Sequence, residues 1–459
     1  MPKRVLIKGG IISTDTDVFR ADVIIDGEHV SGLTSDSSDI TADETIDATD
    51  MLVVPGGIDA HTHFKDPNPD EVEGFYYGSM GAVAGGISSV VEMPQASPVS
   101  STGAHIKEKI GVGEQRSLVD FALWGAAINQ DLESIEEMID AGIVAVKSFM
   151  AGSSPGFPKI TDTGMHDVFS LLAETDIPYG LHAESDDLLQ HYTERLQQAG
   201  EKDPMAHAKS RPPIVEAEAI NRAIFFAEET GARAYICHTS TVSGLELIKR
   251  AKERGVDVEV ETCPQYLALD TEDLVRLGPF GRCAPAIRDR EEVEGLWEFL
   301  RDGTMDVISS DHCGYTIESK EPGKDDIWKA PLGLSGIQTM LPAMLDEFIN
   351  KRDLDFIDFV RVTSTNPAKI FSSYPRKGTL RPGSDADIAI YDLGRSWVAR
   401  GEDMLHKNKW TPFEGKTIGV SVMRTLVRGK TMYAFDGEHN ILGDAGHGKF
   451  IARGYGEEA

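Results

Sequence analysis

The sequence has little basic charge, few cysteines and no long hydrophobic run. Its 459 residues include 45 lysines and arginines against 75 aspartates and glutamates, a formal net charge of −30. A chain this acidic is not expected to bind nucleic acid or an anionic membrane. It contains no run of about 18 apolar residues and no signal-peptide pattern at its N-terminus, so we expect a cytoplasmic protein without a membrane partner.

The chain has only four cysteines, and in a cytoplasmic protein we do not expect them to form a disulfide framework. We expect buried free thiols, with zinc ligation as the alternative reading, at Cys237, Cys263, Cys283 and Cys313.

The composition and the order of β-prone segments predict two domains. With 41% hydrophobic residues the chain can bury a large core, and its length exceeds that of a usual single domain. Short β-prone pieces lie near both ends, at residues 5–10, 21–27, 44–47, 386–391 and 420–429. We therefore expect a small β-sandwich domain built from residues 1–54 and 376–459, around a larger domain of residues 55–375.

The middle of the chain alternates short apolar runs with amphipathic helical stretches such as residues 216–229 and 243–253. This α/β pattern predicts repeated βα units, which close naturally into a (β/α)8 TIM barrel. An open doubly wound sheet is the alternative that periodicity leaves open. The predicted strands are residues 53–63, 87–93, 119–126, 143–149, 179–184, 234–240, 258–266 and 305–312.

Metal-ligating residue types stand at the ends of these predicted strands. His61 and His63 end the first strand, and residues two apart on a strand point to the same side, so both imidazoles can meet one ion. The pair alone also fits core or solvated histidines. Further candidates end later strands, where a parallel barrel gathers its catalytic groups: Lys147, His182, His238 and Asp311.

These residue types suit a centre of divalent metal ions. Imidazole and carboxylate are ligands for zinc, with manganese, iron or cobalt as substitutes. A lysine is costly to bury as a cation, but with carbon dioxide Lys147 would form a carbamate, an anionic ligand able to bridge two ions. Taken singly, each residue also has an ordinary structural explanation.

At this point the chain resembles the cyclic amidohydrolases of the amidohydrolase superfamily, which include hydantoinases, allantoinases, dihydropyrimidinases and dihydroorotases. The resemblance covers essentially the whole length. The motifs that carry it are PGGIDAHTH (55–63), AGGISSVVEMP (84–94), VKSFM (146–150), LHAE (181–184), CHTS (237–240), ETCPQY (261–266) and SSDH (309–312).

The resemblance implies a barrel with a β-sandwich and two divalent ions per chain, expected to be zinc. It implies that His61, His63 and Asp311 hold the more buried ion, that His182 and His238 hold the second, and that carboxylated Lys147 bridges them. It also implies hydrolysis of a small cyclic amide by a hydroxide shared between the ions, with Asp311 as general base and then acid. Relatives are often homotetramers, so a tetramer or dimer is expected.

Departures from the family's patterns favour a hydantoinase. Dihydropyrimidinases and D-hydantoinases carry a tyrosine where this chain has Gly152, and dihydroorotases carry an arginine and an asparagine where it has Lys65 and Gln95. Most allantoinases have a histidine at the position of Gln265, whereas residues 73–75 (EGF) look like allantoinase. We expect hydrolysis of a 5-substituted hydantoin to an N-carbamoyl amino acid, with allantoinase and then dihydroorotase as the alternatives.

Two further classes of protein could use the same barrel. A metal-free assembly protein would lack the metal ligands, which this chain retains. A deaminase or phosphotriesterase-like enzyme is the second class, and deaminases usually lack the bridging lysine that stands here as Lys147.

The residues expected to contact substrate are Lys65, Gln95, Ser153, Ala284 and Gly333. Lys65 has two interpretations: a solvated lysine, or a contact for an acidic ring substituent.

Overall fold

The N-terminal strands form one side of a mixed sheet. The structure is a computed structural model that describes residues 2–68, 72–128, 131–152 and 156–458. The second strand pairs antiparallel with the first and third, whereas the fourth and fifth run parallel to the first. These strands are β1 (Arg4–Ser13), β2 (Val18–Asp26), β3 (His29–Thr34), β4 (Glu44–Asp47) and β5 (Leu52–Pro55).

A parallel sheet follows and closes on itself. Its strands are β6 (Gly57–His63), β7 (Ile87–Glu92), β8 (Asp120–Ala126), β9 (Ala145–Phe149), β10 (Tyr179–His182), β11 (Ala234–Ile236), β12 (Val258–Thr262), β13 (Val307–Ile308) and β14 (His312–Cys313). β13 pairs with β12, and β14 pairs with β6, so the last predicted strand closes the circle in two short pieces. The predicted TIM barrel is confirmed.

Helices connect the barrel strands and cover the outside of the sheet. The predicted helices near 216–229 and 243–253 are confirmed; the second begins where the Thr241 hydroxyl accepts a hydrogen bond from Gly244 N at 3.3 Å. The α-helices are α1 (Gly74–Ala84), α2 (Gly103–Arg116), α3 (Leu132–Asp140), α4 (Asp162–Leu172), α5 (Asp186–Gln198), α6 (Pro204–Lys209), α7 (Pro213–Thr230), α8 (Val242–Glu253), α9 (Pro264–Ala268), α10 (Thr271–Leu277), α11 (Arg290–Arg301), α12 (Ile317–Lys320), α13 (Ile337–Asp346), α14 (Phe356–Val360) and α15 (Asn366–Ile370).

Shorter helical turns lie mostly in the second half of the chain. The 3-10 turns are Gly278–Gly281, Glu321–Lys324, Ile327–Lys329, Gly401–Asp403 and Tyr455–Glu458, and π-helical turns extend α13 and α14 over Glu347–Lys351 and Arg361–Thr365.

The C-terminal strands complete the first sheet. They are β15 (Ile388–Asp392), β16 (Trp397–Val398), β17 (Thr417–Ile418), β18 (Ser421–Val427), β19 (Lys430–Phe435) and β20 (His439–Ile441). β15 lies antiparallel between β5 and β18, which joins strands from both ends of the chain in one sheet. Buried residues such as Ile7, Val23, Ile388 and Leu426 give that sheet its own core. The predicted sandwich from both termini is confirmed, and the domain boundaries near 54 and 375 stay predictions.

Several predicted strand limits are wrong; β11, for example, ends at Ile236, within the predicted strand 234–240. Residues 53–63 are not one strand, because the chain passes at Gly56 from the sandwich sheet (β5) to the barrel (β6); Gly56 N donates to Asp387 O in the first sheet, and Gly57 N donates to Gly86 O beside the second. A Cβ at Gly56 would lie 2.4 Å from Ser88 Oγ, so this crossing needs glycine. Residues 258–266 are also too long for a strand, since β12 ends at Thr262 and Pro264 begins α9.

Aromatic side chains fill the space between β8, β11 and the segment after α15. The ring centroids of Trp124, Tyr235 and Phe371 lie 5.4–5.6 Å apart, and all three side chains are buried. Trp124 Nε1 donates to Ala60 O at 3.1 Å, which ties the cluster to β6. The strand that carries the first two histidines is therefore supported from within the barrel.

The cysteines are free and buried, as their number and the expected compartment predict. Among the described residues, no helix is long and apolar enough to cross a membrane.

Candidate functional site

His61, His63 and Asp311 meet where β6 ends and β13 gives way to β14. Their ligand atoms all lie within 4.8 Å of one another, and all three residues are buried. Asp311 Oδ1 lies 3.4 Å from His61 Nε2 and 3.2 Å from His63 Nε2. Asp311 has a φ of 49°, an uncommon conformation for a residue with a side chain, in the break between the two halves of the eighth strand. The break therefore turns the carboxylate toward both imidazoles.

His182 and His238 form a second pair beside the first. His182 ends β10, and His238 follows β11 by two residues with a φ of 37°. His182 Nδ1 lies 3.0 Å from His238 Nε2, and the His238 ring centroid lies 5.3 Å from that of His61. The structure thus brings together the four histidines and the aspartate that the sequence predicts.

Lys147 lies on β9 and is 1% exposed. Its Nζ lies 2.8 Å from Cys237 Sγ and 5.2 Å from the centre of the Phe149 ring. Within the described residues, no carboxylate lies within 4.0 Å of Nζ to form an ion pair. An ammonium buried without a counter-charge is costly, so the environment suits a modified lysine better than a free one.

Two glutamates that sequence reasoning did not single out hold the imidazoles. Glu261 Oε1 lies 2.8 Å from His61 Nδ1, and Glu184 Oε2 lies 2.7 Å from His182 Nε2. Each carboxylate favours the N–H on the nitrogen it contacts. When the rings are neutral, the opposite nitrogens, His61 Nε2 and His182 Nδ1, carry lone pairs that face the site.

Glu261 also connects the two histidine pairs. It accepts hydrogen bonds from Tyr235 OH at 2.8 Å and from His238 N at 2.9 Å, in addition to its contact with His61. One buried carboxylate therefore orients a member of each pair. A signal was present in the sequence, because Glu184 stands two residues after His182 and Glu261 is a glutamate at the end of a predicted strand that leads into the barrel face.

The pKa values indicate which groups are available as ligands. Burial would lower the pKa of His61, but the Glu261 and Asp311 carboxylates raise it to about 10. Burial lowers the pKa of His63 to about 3 and that of His238 well below its usual range. Burial opposes ionisation of Asp311, yet His61 and His63 hold the pKa of this carboxyl below its ordinary value. Near neutral pH His63 and His238 are thus neutral imidazoles and Asp311 is a carboxylate, whereas His61 keeps a second proton that a bound cation would replace.

This donor set fits divalent metal ions. A cation facing His61 would meet the same carboxylates that otherwise favour a proton on that ring. Among the described residues, Nδ1 of His63 and Nδ1 of His238 are buried without a hydrogen-bond partner, so protein hydrogen bonds do not fully account for these rings. Neutral histidines with a carboxylate are typical zinc ligands.

The site opens into a cavity of about 630 Å³, a size usual for small-molecule pockets. Its wall combines polar groups with apolar side chains such as Val72, Phe149 and Leu189. Of the predicted substrate contacts, the cavity is lined by Lys65, Gln95, Ala284 and Gly333, whereas Ser153 lies outside the described residues. Whether they touch substrate stays a prediction.

Lys65 reaches the cavity by a different route from the one an extended strand would take. β6 ends at His63, and Lys65 has a φ of 65°. Its Nζ nevertheless donates to Tyr315 OH at 3.0 Å and lies 4.4 Å from the centre of that ring. Tyr315 and Arg211 also line the cavity, and sequence reasoning missed both.

Comparison with known proteins agrees with this arrangement. The model of the amidohydrolase family matches residues 52–432. An L-hydantoinase of Paenarthrobacter aurescens is 38% identical over 451 residues, 98% of each chain, and an allantoinase of Rubrobacter xylanophilus is 36% identical over 96% of this chain and 95% of its own. The solved L-hydantoinase (dihydropyrimidinase) from Arthrobacter aurescens superposes with a TM-score of 0.95 at 37% identity, covering 99% of this chain and 100% of that one. The chain belongs to the amidohydrolase family.

Proposed function

We propose that this chain hydrolyses the cyclic amide bond of a 5-substituted hydantoin to an N-carbamoyl amino acid. The observation that carries the proposal is the convergence of four histidines and Asp311 on one cavity of about 630 Å³. The similarity to an L-hydantoinase over 98% of both chains supports the choice of ring.

We infer that the residues that meet at the cavity hold two divalent ions, and we propose that the metal is zinc. His61, His63 and Asp311 would hold one ion, His182 and His238 the other, and Lys147 as a carbamate would stand between the pairs. When bound, such ions lower the pKa of water toward neutrality and polarise a carbonyl oxygen.

Asp311 is the proposed proton carrier. Its carboxylate faces the cavity and is ionised near neutral pH, so it would accept a proton from the attacking water and return it to the ring nitrogen that leaves. Glu261 and Glu184 would keep the imidazoles oriented through this cycle, because each fixes the nitrogen farther from the site.

The backbone near Ala284 and Gly333 would hold the ring. Gly333 has a φ of 145°, and a Cβ there would lie 2.6 Å from Cys313 Cβ, so only glycine brings the chain this close to the site. Backbone groups of this wall, more than its side chains, would therefore form the contacts with the ring amide.

Hydrolysis of allantoin is the second candidate. It is favoured by the 36% identity with an allantoinase over 96% of this chain. Both reactions open a five-membered cyclic amide, and they differ in the ring substituent.

The test is a hydrolysis panel run on the metal-loaded protein, with metal content measured on the same sample. The panel contains hydantoin, both enantiomers of 5-substituted hydantoins, allantoin, dihydrouracil and dihydroorotate. We expect about two ions per chain and the highest kcat/KM on a 5-substituted hydantoin. One ion per chain would point to a deaminase, and no ion with no turnover to an assembly protein.

Oligomeric state and location complete the proposal. We expect a homotetramer or homodimer, which light scattering on the purified protein would measure. A cytoplasmic location is proposed from composition.

A further inference from the structure

A second cavity adjoins the one that holds the histidines. It has a volume of about 260 Å³, and Leu189 and Arg211 line both cavities. These two side chains therefore lie between the first cavity and the second. A group attached to a ring in the first cavity would need only to pass these side chains to enter the second.

Two guanidinium groups face the second cavity with one end held and one end unused. Arg211 Nη1 is paired with the Glu184 carboxylate, and Arg282 Nη1 donates to the carbonyl oxygens of Trp328, at 3.1 Å, and Ala330. Within the described residues, no partner for Nη2 of either arginine lies within hydrogen-bonding distance. Each guanidinium group that lines the second cavity thus keeps a donor nitrogen without a partner among the described residues.

The charge of Arg282 is not balanced by a direct ion pair. In the described part of the chain, no carboxylate lies within 4.0 Å of its guanidinium, although Asp326 is near enough to raise its pKa. Burial and the neighbouring Arg211 lower the pKa of Arg282 to about 10, so the group is still a cation at neutral pH. Glu194 also lines the cavity, but this residue is exposed.

The remaining groups around the second cavity do not supply negative charge. His207 is buried, its Nε2 lies 2.7 Å from Cys283 O, and burial lowers its pKa well below the usual range. Gln190, Thr193 and Gln197 are neutral. The lining side chains carry two guanidinium groups against one carboxylate, that of Glu194, so in a chain with a net charge of −30 the wall of this half-enclosed cavity favours an anion.

We propose that the second cavity is a carboxylate-binding subsite in which Arg211 and Arg282 share one carboxylate. The planar guanidinium fork matches a carboxylate's two oxygens, which a neutral group of the same shape cannot satisfy. The inference rests on the proposed function and narrows its substrate class to rings whose substituent ends in a carboxylate. The carboxylate that ring opening creates in the product has the same chemistry.

The first experiment uses the wild-type metal-loaded protein and two hydantoins of equal size, one with a carboxyethyl and one with a carbamoylethyl substituent. A charged hydrogen bond sheltered in a cavity corresponds to roughly a 10- to 150-fold preference, which we expect in kcat/KM for the acid. A product arm measures inhibition by N-carbamoylglutamine, whose one carboxylate is the one that ring opening creates.

The second experiment compares Arg282→Met with Lys329→Met, which removes an exposed cation from the segment whose backbone Arg282 contacts. Arg282→Met should abolish the preference for the acid, weaken the product's inhibition, or both, and Lys329→Met should change neither. Loss of the substituent preference assigns the subsite to substrate, and loss of product inhibition alone assigns it to product. An Arg282→Met protein that retained both effects would overturn the proposal.

Equilibrium binding separates this inference from the proposed function and needs no variant. If no ring is hydrolysed, the proposed function fails, yet wild-type protein should still bind N-carbamoylglutamate more tightly than its uncharged diamide by about the same factor. Equal affinity for the acid and the diamide would overturn the subsite whatever the enzyme hydrolyses.

Discussion

At the level of single residues, Lys147 is a buried lysine that has no carboxylate within 4.0 Å of Nζ among the described residues. It is 1% exposed, and its nearest polar neighbour is a thiol sulfur at 2.8 Å. We predict that Lys147→Ala loses bound metal and turnover, and that a short carboxylic acid restores part of both by occupying the vacated position. Metal analysis and activity with and without propionate check this. Full metal and full turnover in the variant would exclude a bridging role.

Asp311 has two expected roles, and one substitution separates them. Asp311→Asn keeps nearly the same volume but cannot accept and return a proton, so kcat should fall by about 100- to 10,000-fold. The measurement requires that metal content stay at the wild-type value, because loss of an ion would lower kcat as well. Near-normal kcat with full metal would mean that another group carries the proton.

Lys65 is the third residue whose role a substitution decides. Its ammonium is held against Tyr315 on the cavity wall, and its backbone N donates to Glu92 Oε1 at 2.9 Å, so the substitution leaves the backbone contact in place. If Lys65 contacts an acidic substituent, Lys65→Met should lower the ratio of kcat/KM for an acidic hydantoin to that for a neutral one of equal size, by roughly 10- to 150-fold. An unchanged ratio would show that Lys65 only packs against Tyr315.

At the level of elements, a buried lysine joins the two chain segments that carry Ala284 and Gly333, which we propose as the ring-binding wall. Lys320 ends α12, is fully buried, and donates from Nζ to Arg282 O at 3.1 Å and Pro331 O at 2.8 Å. We predict that Lys320→Met loosens this wall, so that KM rises more than kcat falls. Lys324→Met removes an exposed lysine four residues on and should leave both constants unchanged.

The same lysine predicts a pH effect on stability. Burial lowers the pKa of Lys320 to about 7, whereas a lysine in an unfolded chain titrates near about 10.4. Between these values the unfolded chain binds more protons, so this residue makes the free energy of unfolding increase as the pH rises from 7 toward 10. Urea unfolding at several pH values should show a smaller increase in Lys320→Met than in the wild type. If the free energy of unfolding increased equally in both proteins, the pKa of Lys320 would not be lowered to about 7.

At the level of the whole molecule, a buried ionic cluster joins the barrel to the sandwich. Lys377 Nζ lies 2.6 Å from both Asp120 Oδ2 on β8 and Asp387 Oδ2 before β15, and 3.2 Å from Asp385 Oδ2. Arg428 also pairs with Asp120. The three carboxylates are close enough to suggest a cation site, but the ammonium already lies among them.

Removing that ammonium would leave the buried carboxylate of Asp387 without an ion pair among the described residues, while Asp120 keeps Arg428 and Asp385 keeps Arg376. Lys377→Met should therefore lower the free energy of unfolding by about 3–5 kcal/mol. Lys369→Met, which removes a half-exposed lysine, should change it by less than about 0.5 kcal/mol. Urea unfolding of the metal-loaded proteins measures both, and a small loss in Lys377→Met would mean that water or Arg428 compensates.

The sequence by itself determines the types and the order of the predicted metal ligands, and the barrel that brings them together. These features are local: His61 and His63 are two residues apart on one strand, and each later ligand lies at or just after its own apolar run. Because the carboxyl ends of parallel strands meet on one face, knowing the runs is enough to bring the ligands together. The conformation of Lys65 could not be predicted in this way, because the pattern of apolar residues does not show that the chain takes a positive φ there.

Only the tertiary structure decided which groups hold those ligands and which charges stay unpaired. Glu261 and His61 are 200 positions apart, and their contact exists because closure of the barrel brings the end of the seventh strand within one strand of the first. The same holds for Lys320, whose two acceptor carbonyls come from separate loops. It also holds for Arg282, because only the fold shows that no described residue lies within hydrogen-bonding distance of its Nη2. Pairings at such separations follow from closure of the barrel, and no local pattern in the chain records them.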